Sequence, residues 1–213
     1  MFAKFRDPVS GLIHLGAAAA AVIGLVVLLA LGQRDLTKEF SLLVYGLSLI
    51  LMFSASAAYH LSRAQPDALL RLRKFDHSAI YLLIAGSYTP ICLHFFGGFW
   101  RWGLLVIIWL MALSGITVKL FVINAPRWIT AGIYLLMGWI SILAVQEMLA
   151  AMPSGALLWL MAGGLFYTGG AVVYILKKPD LLPGVFGFHE VWHIFVILGA
   201  VSHFIVVAVF VAP

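Results

Sequence analysis

Seven stretches of apolar residues run through this chain of 213 residues. Each is long enough to cross a bilayer, since a membrane-spanning helix needs about 20 mainly apolar residues. Charged residues and Pro or Gly clusters limit the stretches. We therefore expect an all-α, polytopic membrane protein, with residues 1–213 forming a single seven-helix transmembrane bundle. The predicted spans are 11–31, 40–61, 75–95, 100–122, 128–149, 155–176 and 188–211.

The composition excludes the main soluble alternatives. Of the residues, 64% are hydrophobic and 10% are charged, whereas a soluble domain is about half apolar and about a quarter charged. Such a chain cannot cover a globular surface with polar groups, which excludes a soluble enzyme, a disordered chain and a nucleic-acid binder. We therefore expect no nucleic-acid partner, despite the net charge of +5. The single cysteine, Cys92, excludes intrachain disulfides and a cysteine-based zinc site.

The basic residues between the spans predict the orientation in the membrane. If the N-terminus is cytoplasmic, ten of the 13 basic residues face the cytoplasm and three face outside. The positive-inside rule therefore predicts a cytoplasmic N-terminus and an outside C-terminus. The predicted cytoplasmic group is Lys4, Arg6, Arg63, Arg71, Arg73, Lys74, Lys119, Arg127, Lys177 and Lys178. The predicted outer group is Arg34, Lys38 and Arg101.

This orientation brings polar residues from four separate spans to one depth in the cytoplasmic leaflet. Ionisable groups inside a membrane are costly unless they are paired or hydrated, so they indicate function by default. We therefore interpret the layer as a functional site. Its members are His14, Ser56, His60, Asp76, His77, His189, Glu190 and His193.

The spacing within this layer predicts a metal site. His189 and His193 are four residues apart, so on a helix they lie on one face. Ser56 and His60 have the same spacing. Together, His60, His189 and His193 with one water would make a tetrahedral zinc site with an open position, which is typical of catalytic zinc. Asp76 is the candidate carboxylate to orient that water or accept its proton.

The segment 189–193 also matches the H-E-x-x-H pattern of zinc peptidases, in which the Glu is a general base. An intramembrane metalloprotease is therefore an alternative. After His193, however, only His203 could supply a third ligand, and it lies about 15 Å further along the helix. We therefore favour His60 as the third ligand. We expect Glu190 to cap its helix and His203 to have a structural role.

Three segments together resemble a known family. They are SAAYH at 56–60, KFDHSAIYLLIAGSYTP at 74–90, and FGFHEVWH at 186–193 followed by SHF at 202–204. The motifs S-x-x-x-H, Asp and H-x-x-x-H, on the second, third and seventh spans, are similar to those of the bacterial hemolysin III proteins. These belong to the PAQR family with the adiponectin and progestin receptors, and are distantly similar to alkaline ceramidases. The resemblance covers nearly the whole chain.

The resemblance implies a seven-helix bundle with a cytoplasmic N-terminus. It also implies a zinc ion bound by His60, His189 and His193, with Asp76 at the zinc-bound water and Ser56 as the nearby hydroxyl. One position departs from the family pattern. Bacterial members often carry Asn four residues before the histidine of the first span, where this chain has Ser10.

These observations favour a zinc-dependent hydrolase that acts on a lipid amide or ester and contributes to membrane lipid homeostasis. Asp76 would shuttle the proton and Ser56 would help to stabilise the oxyanion. The substrate would enter from the cytoplasmic leaflet of a bacterial inner membrane. The alternative is a non-enzymatic sensor of membrane state with structural zinc. A cytolysin follows from the family name alone, since no segment resembles a secreted pore former.

Overall fold

The computed structural model describes residues 5–32, 35–182 and 185–213. Seven helical spans are long and apolar enough to cross a membrane, as the sequence predicts. No β-strand occurs within the described ranges, where the only strand-like feature is an isolated bridge between Leu182 and Phe186. The helices are α1 (Pro8–Leu31), α2 (Leu36–Leu61), α3 (Pro66–Phe95), α4 (Gly98–Phe121), α5 (Arg127–Trp139), α6 (Val145–Ala151), α7 (Ser154–Leu176) and α8 (Phe188–Val206). A π-helical turn, Val207–Val211, continues α8.

Helix α3 begins well before the apolar stretch at 75–95. Pro66 occupies its first turn, where the missing N–H removes no helical hydrogen bond. The added turns carry Arg71, Arg73 and Lys74. Hydropathy therefore marks the apolar part of this helix, whereas its hydrogen-bonded length includes a charged extension.

The fifth span is interrupted by a 3-10 turn at Ile140–Ala144, between α5 and α6. The hydroxyl of Tyr88, on α3, donates to the carbonyl oxygen of Gly138 at 2.7 Å and accepts the N–H of Ser141 at 3.1 Å. Buried backbone groups need hydrogen-bond partners, and this hydroxyl serves two that lie at the break. The apolar pattern of 128–149 gives no sign of the interruption.

Helix α3 is the central element of the bundle. In the 18-residue apolar stretch of α3, 67% of the residues are buried, whereas the corresponding share is 22% in α1 and in α4. One buried cluster joins α3 to α1, α2 and the end of the seventh span, and includes Tyr45 and Leu49. A second cluster joins α3 to α4 and to the fifth span, and includes Tyr81 and Met137. The core therefore lies on two sides of α3.

Basic residues predicted to be cytoplasmic meet at one end of the bundle. Arg63 donates to the carbonyl oxygen of Phe5 at 3.1 Å, and Arg73 donates to Asn124 at 3.1 Å. The guanidinium carbon of Arg127 lies 5.1 Å from the centre of the Tyr174 ring. Lys4 and Arg34 lie outside the described residues. The grouping of Arg63, Arg73 and Arg127 is a feature of the fold. The side of the membrane on which this end lies stays a prediction.

Candidate metal centre

Three histidines meet at this end of the bundle. His60 lies in the last turn of α2, and His189 and His193 lie in the first turns of α8. Nε2 of His189 is 3.4 Å from Nε2 of His60 and 3.1 Å from Nε2 of His193. One ligand nitrogen from each residue lies within 4.8 Å of the other two. The three residues that the spacing singled out are therefore brought together, and they could hold a metal ion.

The spacing of these nitrogens fits a tetrahedral ion. A zinc–nitrogen bond of about 2.0–2.1 Å gives about 3.3–3.4 Å between two ligands of a tetrahedron. The two separations here, 3.4 and 3.1 Å, are close to that value. Facing lone pairs at such distances repel each other unless a cation or a proton lies between them. The geometry therefore suits a metal bound through the Nε2 atoms.

The start of α8 is fixed by the side chain of Glu190. Its Oε2 accepts the backbone N–H of Gly187 at 2.8 Å, which confirms the predicted cap. Its Oε1 accepts the hydroxyl of Ser10, on α1, at 2.8 Å. Ser10 is fully buried. Ser10 therefore holds α1 against the helix that carries His189 and His193.

His14, on α1, contacts one of the three histidines directly. Its Nε2 lies 2.6 Å from Nδ1 of His193, and the two ring centres are 3.9 Å apart. Its side chain is buried, at 2% exposure. The sequence placed His14 at the correct depth but gave it no role, because depth alone does not identify the partner of a side chain.

Asp7, which precedes α1, is a site residue that the sequence analysis missed. Its Oδ2 lies 3.0 Å from Nδ1 of His60 and accepts a hydrogen bond from Arg6 at 2.8 Å. Burial raises the pKa of Asp7, but the hydrogen bonds with His60 and Arg6 and their charges outweigh it, so the pKa lies below its ordinary value. The one available signal is position, since an acidic residue directly precedes the first span at the depth of His60.

Asp76 and Ser56 lie together on the wall of a cavity, and Ser56 is one helical turn before His60 on α2. Asp76 is 9% exposed, and its carboxylate interacts with the hydroxyl of Ser56. Within the described ranges, no hydrogen bond joins Asp76 to His60, His189 or His193. Asp76, Ser56 and His14 line the same cavity. The cavity thus reaches the histidine cluster through His14, and the catalytic roles of Asp76 and Ser56 stay predictions.

The cavity extends from this polar end into the bundle. Its volume is about 320 Å³, and its walls are mainly apolar side chains of α3, α5, α7 and α8. Its lining also includes Met148 and Leu149 of α6, beyond the break in the fifth span. His203 lines it too, with its ring centre 5.4 Å from that of Tyr167. Chambers of this kind are the usual sites for small, largely apolar ligands.

The sequence comparisons identify the family. A family model described as haemolysin-III related matches residues 2–204. The chain belongs to this family. It is 35% identical to the hemolysin-3 homolog of Bacillus subtilis (strain 168) over 165 residues, which are 77% of this chain and 74% of the relative. It is 37% identical to hemolysin-3 of Bacillus cereus over 172 residues, 80% and 74% of the two chains.

A more distant relative connects the chain to the PAQR receptors. The adiponectin receptor protein of Drosophila melanogaster is 27% identical over 175 residues, which are 73% of this chain and 39% of the receptor. The resemblance drawn from the three motifs is therefore confirmed. The family and the seven apolar helices together identify an integral membrane protein.

Proposed function

We propose that this protein is a zinc-dependent hydrolase that cleaves an amide or ester of a membrane lipid and contributes to membrane lipid homeostasis. One observation carries the proposal. Nitrogens of His60, His189 and His193 converge next to His14, and His14 lines a mainly apolar cavity whose wall also holds Asp76 and Ser56. Such a site combines a metal, a carboxylate and a hydroxyl beside a chamber that suits an acyl chain.

Zinc is the metal that we propose for this site. A set of three imidazoles with an open fourth position is typical of catalytic zinc, and His60, His189 and His193 would provide it. Bound zinc makes a nucleophilic water available at neutral pH. Cys92, the only cysteine, is buried in a different part of the bundle, so the donor set is made of nitrogen.

Asp76 and Ser56 would carry the proton transfer and the stabilisation of charge. In this proposal Asp76 accepts the proton of the hydrolytic water and returns it to the leaving group. The Ser56 hydroxyl interacts with Asp76. It can orient that carboxylate or donate to the carbonyl oxygen as negative charge develops.

A lipid is the substrate class that the cavity favours. Its apolar walls suit an acyl chain, and its polar end suits the bond to be cleaved. We propose that the N-terminus is cytoplasmic, so that the polar end lies in the cytoplasmic leaflet of a bacterial inner membrane. The substrate would then enter from that leaflet.

A non-enzymatic sensor of membrane state is the second candidate. The histidine cluster joins α2 to α8, and Ser10 and His14 join α1 to α8. A metal at this place could serve only to hold these helices together. Asp76 would then be dispensable for function.

Lipid hydrolysis by purified protein tests the proposal. Wild type and Asp76→Asn would be incubated in nanodiscs with N-acyl lipids and acyl esters, and released fatty acid measured by mass spectrometry. Asp67→Asn is the matched control, because Asp67 is an exposed acid on the same helix. We expect metal-dependent release that falls by about 100-fold or more in Asp76→Asn and is unchanged in Asp67→Asn. Folded, metal-loaded wild type that releases no more than Asp76→Asn would favour the sensor.

A further inference from the structure

The side chain of Asp7 does not cap its own helix. Asp at an N-cap normally accepts a backbone N–H of the first turn, but Asp7 makes no such bond at the start of α1. Its Oδ2 lies 3.0 Å from Nδ1 of His60. Its backbone N–H donates to the carbonyl oxygen of His60 at 2.9 Å. Asp7 is therefore held against the end of α2, and its carboxylate serves a histidine instead of a helix terminus.

The Asp7 carboxylate selects the nitrogen of His60 that carries the proton. Arg6 donates two hydrogen bonds to Oδ2 of Asp7, at 2.9 and 2.8 Å. An ionised carboxylate only accepts hydrogen bonds, so Nδ1 of His60 has to be the N–H. Nε2 of His60 then carries the free lone pair, and Nε2 is the atom that faces His189.

His14 stands in the same relation to His193. Nδ1 of His193 lies 2.6 Å from Nε2 and 3.2 Å from Nδ1 of His14, while Nε2 of His193 faces His189 at 3.1 Å. A hydrogen bond between two neutral imidazoles needs one donor and one acceptor. If Nε2 of His193 is to bind a metal, Nδ1 is the donor and His14 is the acceptor. The ring of Phe53 packs edge-on against His14, with 5.2 Å between ring centres, and helps to hold it in place.

We propose that Asp7 and His14 are positioning residues of the metal centre. Asp7 orients His60 and His14 orients His193, so that both histidines present Nε2 to one ion. Histidines that bind metals commonly donate their other N–H to a carboxylate or another acceptor, and loss of that partner weakens metal binding by about 10–100-fold. The first span and the residue before it thus serve the site without supplying a ligand. The inference rests on the metal centre of the proposed function and is independent of the reaction.

Metal affinity tests the role of Asp7. The apparent affinity of purified protein for Zn²⁺ would be measured by competition with a chelator. We expect Asp7→Ala to bind about 10–100-fold more weakly, and Asp7→Asn to lose less, because its amide oxygen still accepts a hydrogen bond. Arg63→Ala is the matched control, since Arg63 anchors the same segment through the carbonyl oxygen of Phe5. We expect its affinity to equal that of wild type.

Two substitutions, His14→Gln and His14→Phe, test the role of His14 in the same way. Gln keeps an acceptor oxygen, so we expect a small loss of affinity, whereas Phe removes the acceptor and should weaken binding by about 10–100-fold. The visible spectrum of bound Co²⁺ reports ligand geometry directly. We expect it to change in His14→Phe and in Asp7→Ala but not in Arg63→Ala. Size-exclusion chromatography and circular dichroism establish that each variant is folded.

The outcomes distinguish the positioning role of Asp7 and His14 from the metal centre itself. Wild-type affinity and an unchanged Co²⁺ spectrum in folded Asp7→Ala and His14→Phe would overturn the positioning role alone. A loss in Arg63→Ala equal to that in Asp7→Ala would also overturn it, because docking of the segment would then explain both. If wild type binds no more metal than His193→Ala, the metal centre itself is wrong, and with it the metal-dependent hydrolase.

Discussion

The hydroxyl of Ser10, on α1, donates a 2.8 Å hydrogen bond to Oε1 of Glu190, at the start of α8. The other oxygen of the same carboxylate caps α8 through the N–H of Gly187. A single carboxylate therefore joins the first span to the helix that carries two of the three candidate ligands.

Loss of this contact should destabilise the protein. We expect Ser10→Ala to lower the free energy of unfolding by about 1.5–3 kcal/mol, because a buried hydrogen bond to a charged group is lost. Ser10→Asn keeps a donor and should retain most of the stability. Unfolding by SDS in mixed micelles measures the free energy of unfolding of both variants. Equal stability of Ser10→Ala and wild type would show that the contact contributes nothing.

Removal of any one of the three histidines should abolish metal retention. We expect wild type to retain about one metal ion per chain after dialysis against a weak chelator, and His60→Ala, His189→Ala and His193→Ala to retain almost none. His94→Ala is the control, since His94 lies in the last turn of α3, at the opposite end of the bundle. Elemental analysis gives the stoichiometry and the identity of the metal. Equal metal content in all four variants would exclude this site.

The packing of α7 against α8 should depend on Gly163. A Cβ at this position would lie 2.3 Å from Cδ2 of His203. We therefore expect Gly163→Ala to cost about 1–3 kcal/mol of stability through overpacking. Gly132→Ala is the matched control, because a Cβ there meets nothing within 4 Å. Thermal unfolding in detergent measures the stability of Gly163→Ala and Gly132→Ala.

His203→Ala should relieve part of the cost of Gly163→Ala, since it removes the ring that the new Cβ contacts. The effects of the two substitutions on stability should therefore be non-additive. Additive effects would show that the strain lies against the backbone of Gly199, whose carbonyl oxygen is 3.2 Å from the same Cβ position.

Thiol labelling of intact cells tests the predicted orientation. Cys92 is fully buried and should not react with a maleimide, so the natural chain gives a low background. Leu36, at the start of α2, is 84% exposed, and Lys178 is exposed after α7. We expect an impermeant reagent to label Leu36→Cys in intact cells and Lys178→Cys only after permeabilisation. The reverse pattern would place the histidine cluster in the outer leaflet.

The convergence of the three candidate ligands could be predicted from sequence because depth in a membrane is nearly one-dimensional. The limits of the apolar stretches fix how far along its span each residue lies, and the helical repeat places His189 and His193 on one face. His60, at the end of the second span, then falls at the same level. Neither step requires knowledge of which helices are neighbours.

The partners of the three candidate ligands could not be predicted, because they depend on lateral packing. Asp7 contacts His60 across 53 residues, and His14 contacts His193 across 179. Each contact depends on the direction in which a side chain leaves its helix, which hydropathy does not encode. The break at Ile140–Ala144 escaped prediction for a similar reason, since the hydroxyl that pairs its backbone belongs to Tyr88, on α3.

The separation of the candidate ligands along the chain has a consequence for biosynthesis. His60 lies 129 residues before His189, and α8 follows α1–α7 in the part of the chain that the structure describes. Helices are synthesised from the N-terminus onwards, so α1 and α2 emerge and insert before α8, which carries His189 and His193, has been made. The candidate metal centre can therefore form only after α8 has been synthesised and has packed against α2. A chain that is truncated or stalled before α8 lacks His189 and His193, so a retained ion would mark chains that have been synthesised through α8.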